Sequence, residues 1–185
     1  RHCPIKEITS TGIRTEERDY EVDVIVFATG FDAMTGTFFK MDIRGRDNLP
    51  LKDRWSQGPM TYLGLQSAGF PNLFMITGPG SPSVLTNMPV AIEQHIEWIS
   101  DLIEYMRKRK IQTAEPTPHS EIEWAQRVKE AVAPTMYMFA NSWYFGANIP
   151  GKPRVFTPYA GGMGNYRKTC SAIAENDYEG FILGQ

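Results

Sequence analysis

The sequence predicts an α/β fold, and three stretches carry that reading. Val24-Ile25-Val26-Phe27-Ala28 is a continuous β-branched and aromatic run, the pattern of a strand buried on both faces of a parallel sheet. Asn72-Leu73-Phe74-Met75-Ile76 is a second short apolar run that reads as a buried strand. From about Asn87 to Arg109, Ile92, Ile96, Ile99, Ile103 and Met106 recur at helical spacing, and Ala91, His95, Trp98, Leu102 and Tyr105 widen that apolar face.

The remaining elements fall between these. Ile5 to Thr9 alternates in polarity as a half-exposed strand does, and Ser10-Thr11-Gly12 supplies a turn. Ile13-Arg14-Thr15, returned by Tyr20-Glu21-Val22, completes a small antiparallel meander. Phe38 to Ile43 reads as an edge strand, Arg44 to Asn48 as a turn, and Leu51 to Trp55 as a short helix or turn with Trp55 packed. Tyr62 to Leu65 reads as a short strand and Ala68 to Asn72 as a tight turn. Thr113 to Pro118 is a proline-containing linker. A helix follows from about Ser120 to Ala133, with Ser120 and Glu123 at capping-box spacing. A third helix spans Gly164 to Glu175, with Tyr166, Cys170, Ile173 and Ala174 inward, and Tyr178 to Leu183 is a terminal strand.

Composition narrows the class. Of 185 residues, 42% are hydrophobic and 22% charged, which is ordinary globular usage. The net charge of −2, from 19 basic and 21 acidic residues well mixed along the chain, offers no nucleic-acid surface. No apolar run reaches the length a membrane-spanning helix needs. Arg1-His2-Cys3-Pro4 is no signal peptide, and Cys3 and Cys170 lie far apart without a CxxC pattern, so a reduced, cytoplasmic protein is expected. His95 has no metal-ligating residue one helical turn away and reads as packed or hydrogen-bonded rather than as a ligand.

Chemistry concentrates in two places. The first is the turn Thr77 to Met88, between the apolar run and the long helix. The first N–H groups of a helix lack intrahelical partners and favour a carbonyl-rich or anionic group. Gly78 and Gly80 lack Cβ atoms, so a flat ligand could approach the backbone, with Ser83, Val84, Leu85 and Thr86 beside it. The same residues also fit an ordinary strand-to-helix connection in which Asn87 is only an N-cap. The second place is Met136 to Tyr159, dense in aromatics and broken by Gly146, Pro150, Gly151 and Pro153. Long irregular segments of this kind are commonly binding loops, and a hydrophobic satellite cluster is the alternative. Lys152 and Arg154 in it read by default as surface charges.

Three motifs occur in order: Ala28-Thr29-Gly30-Phe31-Asp32, Thr77 to Pro89, and Trp143 to Lys152. Together they resemble the C-terminal part of a type I Baeyer–Villiger monooxygenase, over nearly the whole chain from about Pro4 to Leu183. The resemblance implies an incomplete C-terminal portion of a flavoprotein with two dinucleotide-binding (Rossmann-like) domains. Residues 1–30 would end the NADPH-binding domain, and residues 31–185 would belong to the FAD-binding domain. It implies cofactor contacts from Ala28, Thr29 and Gly30 to NADPH, from Gly78, Pro79, Gly80, Ser81, Asn87 and Met88 to FAD, and from Trp143 to NADPH. It implies a substrate pocket at Ser83, Val84, Leu85 and Thr86. The implied reaction is insertion of oxygen from O2 beside a ketone, through a flavin C4a-peroxide, to give an ester or lactone.

The family's two GxGxxG loops and its FxGxxxHxxxW fingerprint do not occur in this sequence. No residue matches the family's active-site arginine, so no catalytic residue is assigned. The chain therefore reads as a piece of a longer enzyme, inactive alone, whose partner is the remainder of that enzyme. Two other readings stay open: an N- or S-oxidising flavin monooxygenase, and a non-enzymatic module binding a partner through its aromatic loop. Without a pyrophosphate-binding loop, the isolated chain is expected to hold no flavin. Stoichiometric flavin absorbance in the purified 185-residue chain would overturn this.

Overall fold

Two compact units divide the computed structural model, which describes residues 3–185: one ends at Phe31 and the other runs from Asp32 to Gln185. Arg1 and His2, part of the terminus read above as lacking a signal peptide, lie outside the described residues. The first unit is the expected antiparallel meander of β1 (Ile5–Thr9), β2 (Gly12–Thr15) and β3 (Asp19–Glu21), in the order β1-β2-β3. Ile13 sits at its centre, opposite Ile8 on one side and Tyr20 on the other. Arg14 pairs with both Glu7 and Asp19, but these ions are exposed and add little.

The run Val24 to Ala28 corrects the sequence reading. It has no regular structure and pairs with no strand among the described residues, and Val26 is 81% exposed. A strand buried on both faces needs neighbours and covering layers. The described residues supply neither to this run. Both sheets of the chain are antiparallel, and the expected parallel sheet is not formed by the described residues.

In the second unit α1 (Gly36–Lys40) replaces the edge strand read over Phe38 to Ile43. Packing decides this: Phe38 and Phe39 both turn edge-on to Trp55, at 5.6 and 6.4 Å. Trp55 follows α2 (Leu51–Arg54) and is fully buried, as expected. Tyr62 and Gln66 form only an isolated bridge around a tight turn, not a strand. The run Asn72 to Ile76 is not a strand either. Its hydrogen bonds are scattered: Met75 N–H to the Leu65 carbonyl, and Asn72 through its side chain to Gln112 and Ala114.

The long helix α3 (Met88–Arg109) forms where the periodicity places it, with proline in its first turn. Its buried face is rotated from the one read. Ala91, Gln94, His95, Trp98, Ile99, Leu102 and Met106 are inside, whereas Ile96 and Ile103 are half exposed. The large ring of Trp98 centres the face, and its indole N–H donates to the Cys170 carbonyl. Where a linker was expected, β4 (Thr113–Pro116) pairs antiparallel with the terminal β5 (Phe181–Gly184), a partner too distant in sequence for local pattern to reveal. Between them α5 (Met163–Glu175) packs on α3, and α4 (Pro118–Val132) joins them in one core that includes Leu63, Leu65, Trp98, Leu102, Trp124 and Tyr166. Helix α4 is not capped by Ser120 and Glu123. Pro118 takes the first helical position, and Thr117 Oγ1 accepts the Ser120 N–H.

Two buried carboxylates clamp the segment between the cores. Glu121 of α4 is fully buried and accepts from Arg54, from the Ser67 hydroxyl at 3.0 Å and from the Ala68 N–H at 2.7 Å. Glu115 of β4 accepts from Arg46 at 2.6 Å and the Gly69 N–H at 2.8 Å. Burial raises the Glu121 carboxyl above its ordinary value, against the pull of the Ala68 N–H, Arg54 and Ser67. Removing it strands an arginine and a buried amide together. Glu121→Ala is therefore expected to cost about 3–5 kcal/mol in chemical denaturation, and the exposed Glu97→Ala within about 0.5 kcal/mol. Equal midpoints for the two variants would show that the clamp carries no stability.

Candidate functional site

The Thr77 to Ser81 turn passes through the interior, and nearly every polar group on it is spoken for. Thr77 N–H donates to His95 Nδ1 at 3.0 Å. The Ser81 hydroxyl donates to the Gly78 carbonyl, and Thr61 Oγ1 to the Pro79 carbonyl. Gly80 N–H reaches the Thr157 carbonyl at 2.7 Å, and its own carbonyl accepts from the Trp124 indole at 2.9 Å. Ser81 returns a carbonyl to the Tyr159 N–H at 2.7 Å. Glycine is required by this packing. A Cβ on Gly80, where φ is +93°, would meet Thr61 Oγ1 at 2.7 Å, and one on Gly78 would meet the Gly64 carbonyl at 2.5 Å. The open approach expected over Gly78 and Gly80 is thus taken by the protein itself. Gly78, Pro79, Gly80 and Ser81 are buried and form the support of the site rather than its surface.

The surface begins just beyond. Ser83, Val84 and Leu85 make a single 3-10 turn before α3. Ser83, Val84 and Met88 line a cleft of about 270 Å³ together with Thr77, Met34 and, from far along the chain, Trp143. Leu85 and Thr86, read as pocket residues, are half-buried and do not line this cleft; the turn aims Ser83 and Val84 at it instead. Asn87 is exposed, and its side chain does not cap α3. By position, the N–H groups of Met88 and Val90 have no intrahelical acceptor. Ala28, Thr29 and Gly30 are exposed in the first unit.

Trp143 opens a second 3-10 turn, Trp143–Phe145, whose Tyr144 N–H donates to Ser142 Oγ and which ends at Gly146 in the left-handed region. The indole leans on Tyr144 at 4.3 Å and is 38% exposed, neither core nor free. One residue joins this turn to the other: Thr157 donates its N–H to the Tyr144 carbonyl and accepts from Gly80. Behind Trp143 lies a more enclosed, mostly apolar cavity of about 250 Å³, walled by Phe39, Trp55, Phe145 and Val155. The surface charge expected at Lys152 is instead an ion pair with Asp32, the two side chains 15% and 22% exposed.

The structure brings Trp143, Ser83, Val84 and Met88, all singled out in the sequence, to one cleft; the groups that hold them were not read from the sequence. Glu121 lies three residues before Trp124 and seven before Val128, so a carboxylate on an apolar helix face was the available signal. His95 is packed and hydrogen-bonded, as read, but its bond to Thr77 was not foreseeable. Cys3 and Cys170 are free thiols, and burial pushes Cys170 up to about 12. Among the described residues no cluster of His, Cys, Asp or Glu is placed to hold a metal.

No family model matches the chain. Individual proteins do. It is 44% identical over 180 residues to a Baeyer–Villiger monooxygenase of Pseudooceanicola batsensis, covering 97% of this chain and 33% of that protein. It is 41% identical to a phenazine N-monooxygenase of Lysobacter antibioticus, covering 97% and 33%. Cyclohexanone monooxygenase from Rhodococcus sp. Phi1 bound to NADP+ superposes with a TM-score of 0.90 at 43% identity, covering 99% of this chain and 34% of that one. A structure described as OTEMO in complex with FAD and NADP gives 0.87 at 40% identity, covering 98% and 33%. The fold is therefore that of a C-terminal portion of a flavoprotein monooxygenase. The chain spans about a third of the length of the relatives it matches. Within that class it belongs to the Baeyer–Villiger monooxygenase family.

Burial without any compensating charge pushes the His95 imidazole down to about 4. The folded state therefore keeps it neutral, accepting from Thr77, while the unfolded state takes up a proton below about 6.5. Its contribution is complete above pH 6.5 and is lost as pH falls toward 4, to a total of about 3 kcal/mol. His95→Gln, whose amide oxygen keeps an acceptor for Thr77, should flatten the fall of unfolding free energy over that window. Parallel pH profiles for the two proteins would exclude His95 as the titrating group.

Proposed function

We propose that in the complete enzyme this chain forms one wall of an active site in which NADPH, FAD, O2 and a ketone meet, and oxygen is inserted beside the ketone carbonyl to give an ester or lactone. The observation that carries the reading is the single cleft uniting Trp143 with Ser83, Val84 and Met88. Flavin, when bound, supplies the oxygen-transfer chemistry and NADPH the electrons. The residues present fit a flat ring with polar edges. The N-terminus of α3 offers the Met88 and Val90 N–H groups and the Asn87 side chain, and its dipole favours negative charge there. The Gly78 to Ser81 turn fixes that helix end from below. Trp143 presents an indole face and N–H for the nicotinamide side, with Ala28, Thr29 and Gly30 of the first unit also on NADPH. In this reading residues 1–30 close the NADPH-binding domain and residues 31–185 belong to the FAD-binding domain.

Ser83 and Val84 set the shape of the ketone end. The reaction runs in a reduced, cytoplasmic setting; no helix among the described residues is long and apolar enough to cross a membrane. A second reading, oxygen transfer to a heterocyclic nitrogen, has one observation in its favour: the similarity to a phenazine N-monooxygenase.

Val84 is 38% exposed on the cleft, so enlarging it fills the cleft without straining the core. In the complete enzyme Val84→Phe is expected to lower kcat/KM for bulky ketones roughly 10–100-fold. Small ketones and ketone-free NADPH oxidation should be nearly unaffected, and Leu85→Ala should change the ketone profile less. An unchanged profile in Val84→Phe would remove Val84 from the pocket. Turnover of an N-heterocycle in preference to every ketone tested would select the second reading.

A further inference from the structure

Asp32 and Lys152 are the last residues of two of the three sequence motifs, 120 positions apart, and their side chains meet as an ion pair. The contact is built on both sides. On the loop side, Gly146 sits at φ +70°, and the methylenes of Lys152 pass across the space a Cβ would fill, with Cδ at 2.9 Å from it. The Lys152 stem therefore packs on the residue that ends the Trp143–Phe145 turn. On the other side, Asp32 accepts from Thr35 Oγ1 at 3.3 Å, and Gly36 leaves room for it: a Cβ there would stand 2.7 Å from Asp32 Cβ. Trp143, the stem of Lys152 and Thr35 line the same apolar cavity behind the indole.

We propose that the Asp32–Lys152 pair is a latch that holds the Trp143 turn against the segment beginning at Asp32, and that both are positioning residues for NADPH acting through Trp143. Other contacts hold the loop to its own neighbours, with Tyr144 and Phe145 packing on Phe156. Tyr144 receives the Thr157 N–H, and Arg154 reaches Asn141, but neither bond reaches the segment at Asp32. The pair links the loop's C-terminal half to that segment by opposite charges. Without it Trp143 keeps its neighbour Tyr144 but loses its fixed place at the rim of the cleft. The cofactor half of the proposal rests on Trp143 serving the nicotinamide side.

The test uses the complete enzyme with Asp32→Asn, Lys152→Met, Lys152→Arg and Trp143→Ala. Lys152→Met keeps the stem over Gly146 and removes only the charge, so the turn itself should persist. Hydrogen exchange of the amides of residues 141–152 reads the latch directly, and the NADPH KM reads its consequence. Asp32→Asn and Lys152→Met should each speed exchange in that segment and raise the NADPH KM about tenfold, the scale of coupling within one network. The ketone KM and Tm should stay close to those of the unaltered enzyme, Lys152→Arg should restore both readouts, and Asp32→Asn added to Trp143→Ala should raise the NADPH KM no further. Unchanged exchange overturns the latch, and so does a fully additive double variant. Faster exchange with an NADPH KM unmoved even in Trp143→Ala overturns the cofactor reading of the loop instead.

Discussion

The constraint on which the second unit depends is the burial of peptide groups in the Thr77 to Ser81 turn. A chain that crosses the interior without regular structure leaves donors and acceptors that water cannot reach, and each must find a partner. Here the partners come from every neighbouring element: His95 on α3, Trp124 on α4, Thr61 on the preceding turn and Thr157 in the aromatic stretch. Long-range bonds of this kind leave little freedom in how the helices sit. Trp124 must bring its N–H to Gly80 while stacking on Tyr159 at 5.2 Å, and Tyr166 must bring its hydroxyl to the Leu63 carbonyl at 2.7 Å. The aromatic core is arranged around hydrogen-bond obligations as much as around volume. The start of α3, and with it the cleft, is fixed as a result.

Local signals were sufficient wherever the determinant was local. The meander of β1 to β3, the length of α3 and the inward face of α5 follow from alternation, helical spacing and a turn at Ser10-Thr11. The failures share a cause. Val24 to Ala28 has strand composition, but composition does not provide a neighbour. Thr113 to Pro116 has linker composition, yet pairing with Phe181 to Gly184 makes it a strand. Phe38 and Phe39 have strand propensity, which contact with Trp55 overrides in favour of a helical turn. In α3 the apolar residues span a wide arc, and which part faces inward was decided by Trp98 and by His95 meeting Thr77. For the candidate site, two of the motifs lead to the same cleft. Only the tertiary structure separates Ser83 and Val84, on the cleft, from Leu85 and Thr86 beside it.

The buried carboxylates show how the two cores are joined. Leu51, Trp55, Phe70 and Met75 form a small core of their own, apart from the larger one under α3 to α5. Between them runs Ser67 to Gly69, whose N–H groups at Ala68 and Gly69 end on Glu121 and Glu115. Arg54 and Arg46 then neutralise the two carboxylates from the side of the smaller core. An apolar contact would join these layers in many registers. Two charged forks aimed at successive amides permit one. This is a use of buried charge in which geometry, rather than net stability, is the return.

Two ion pairs of similar chemistry thus sit in different surroundings, and burial decides what each is suited to. Glu121 is fully buried against Arg54, so separating them would leave a bare carboxylate in the core at a cost of about 3–5 kcal/mol. Such a pair does not open during turnover, and it lies in the scaffold. Asp32 and Lys152 keep 22% and 15% of their side chains in contact with solvent, so water compensates part of the loss when they part. Exposed pairs are worth only about 0–1 kcal/mol, and this one falls between the two limits. In the proposed reading, a loop held at that strength is ordered most of the time yet can release for exchange of a large cofactor. An apolar plug of the same area would hold Trp143 as firmly as the core holds Trp124, and the cleft could then form but not reopen.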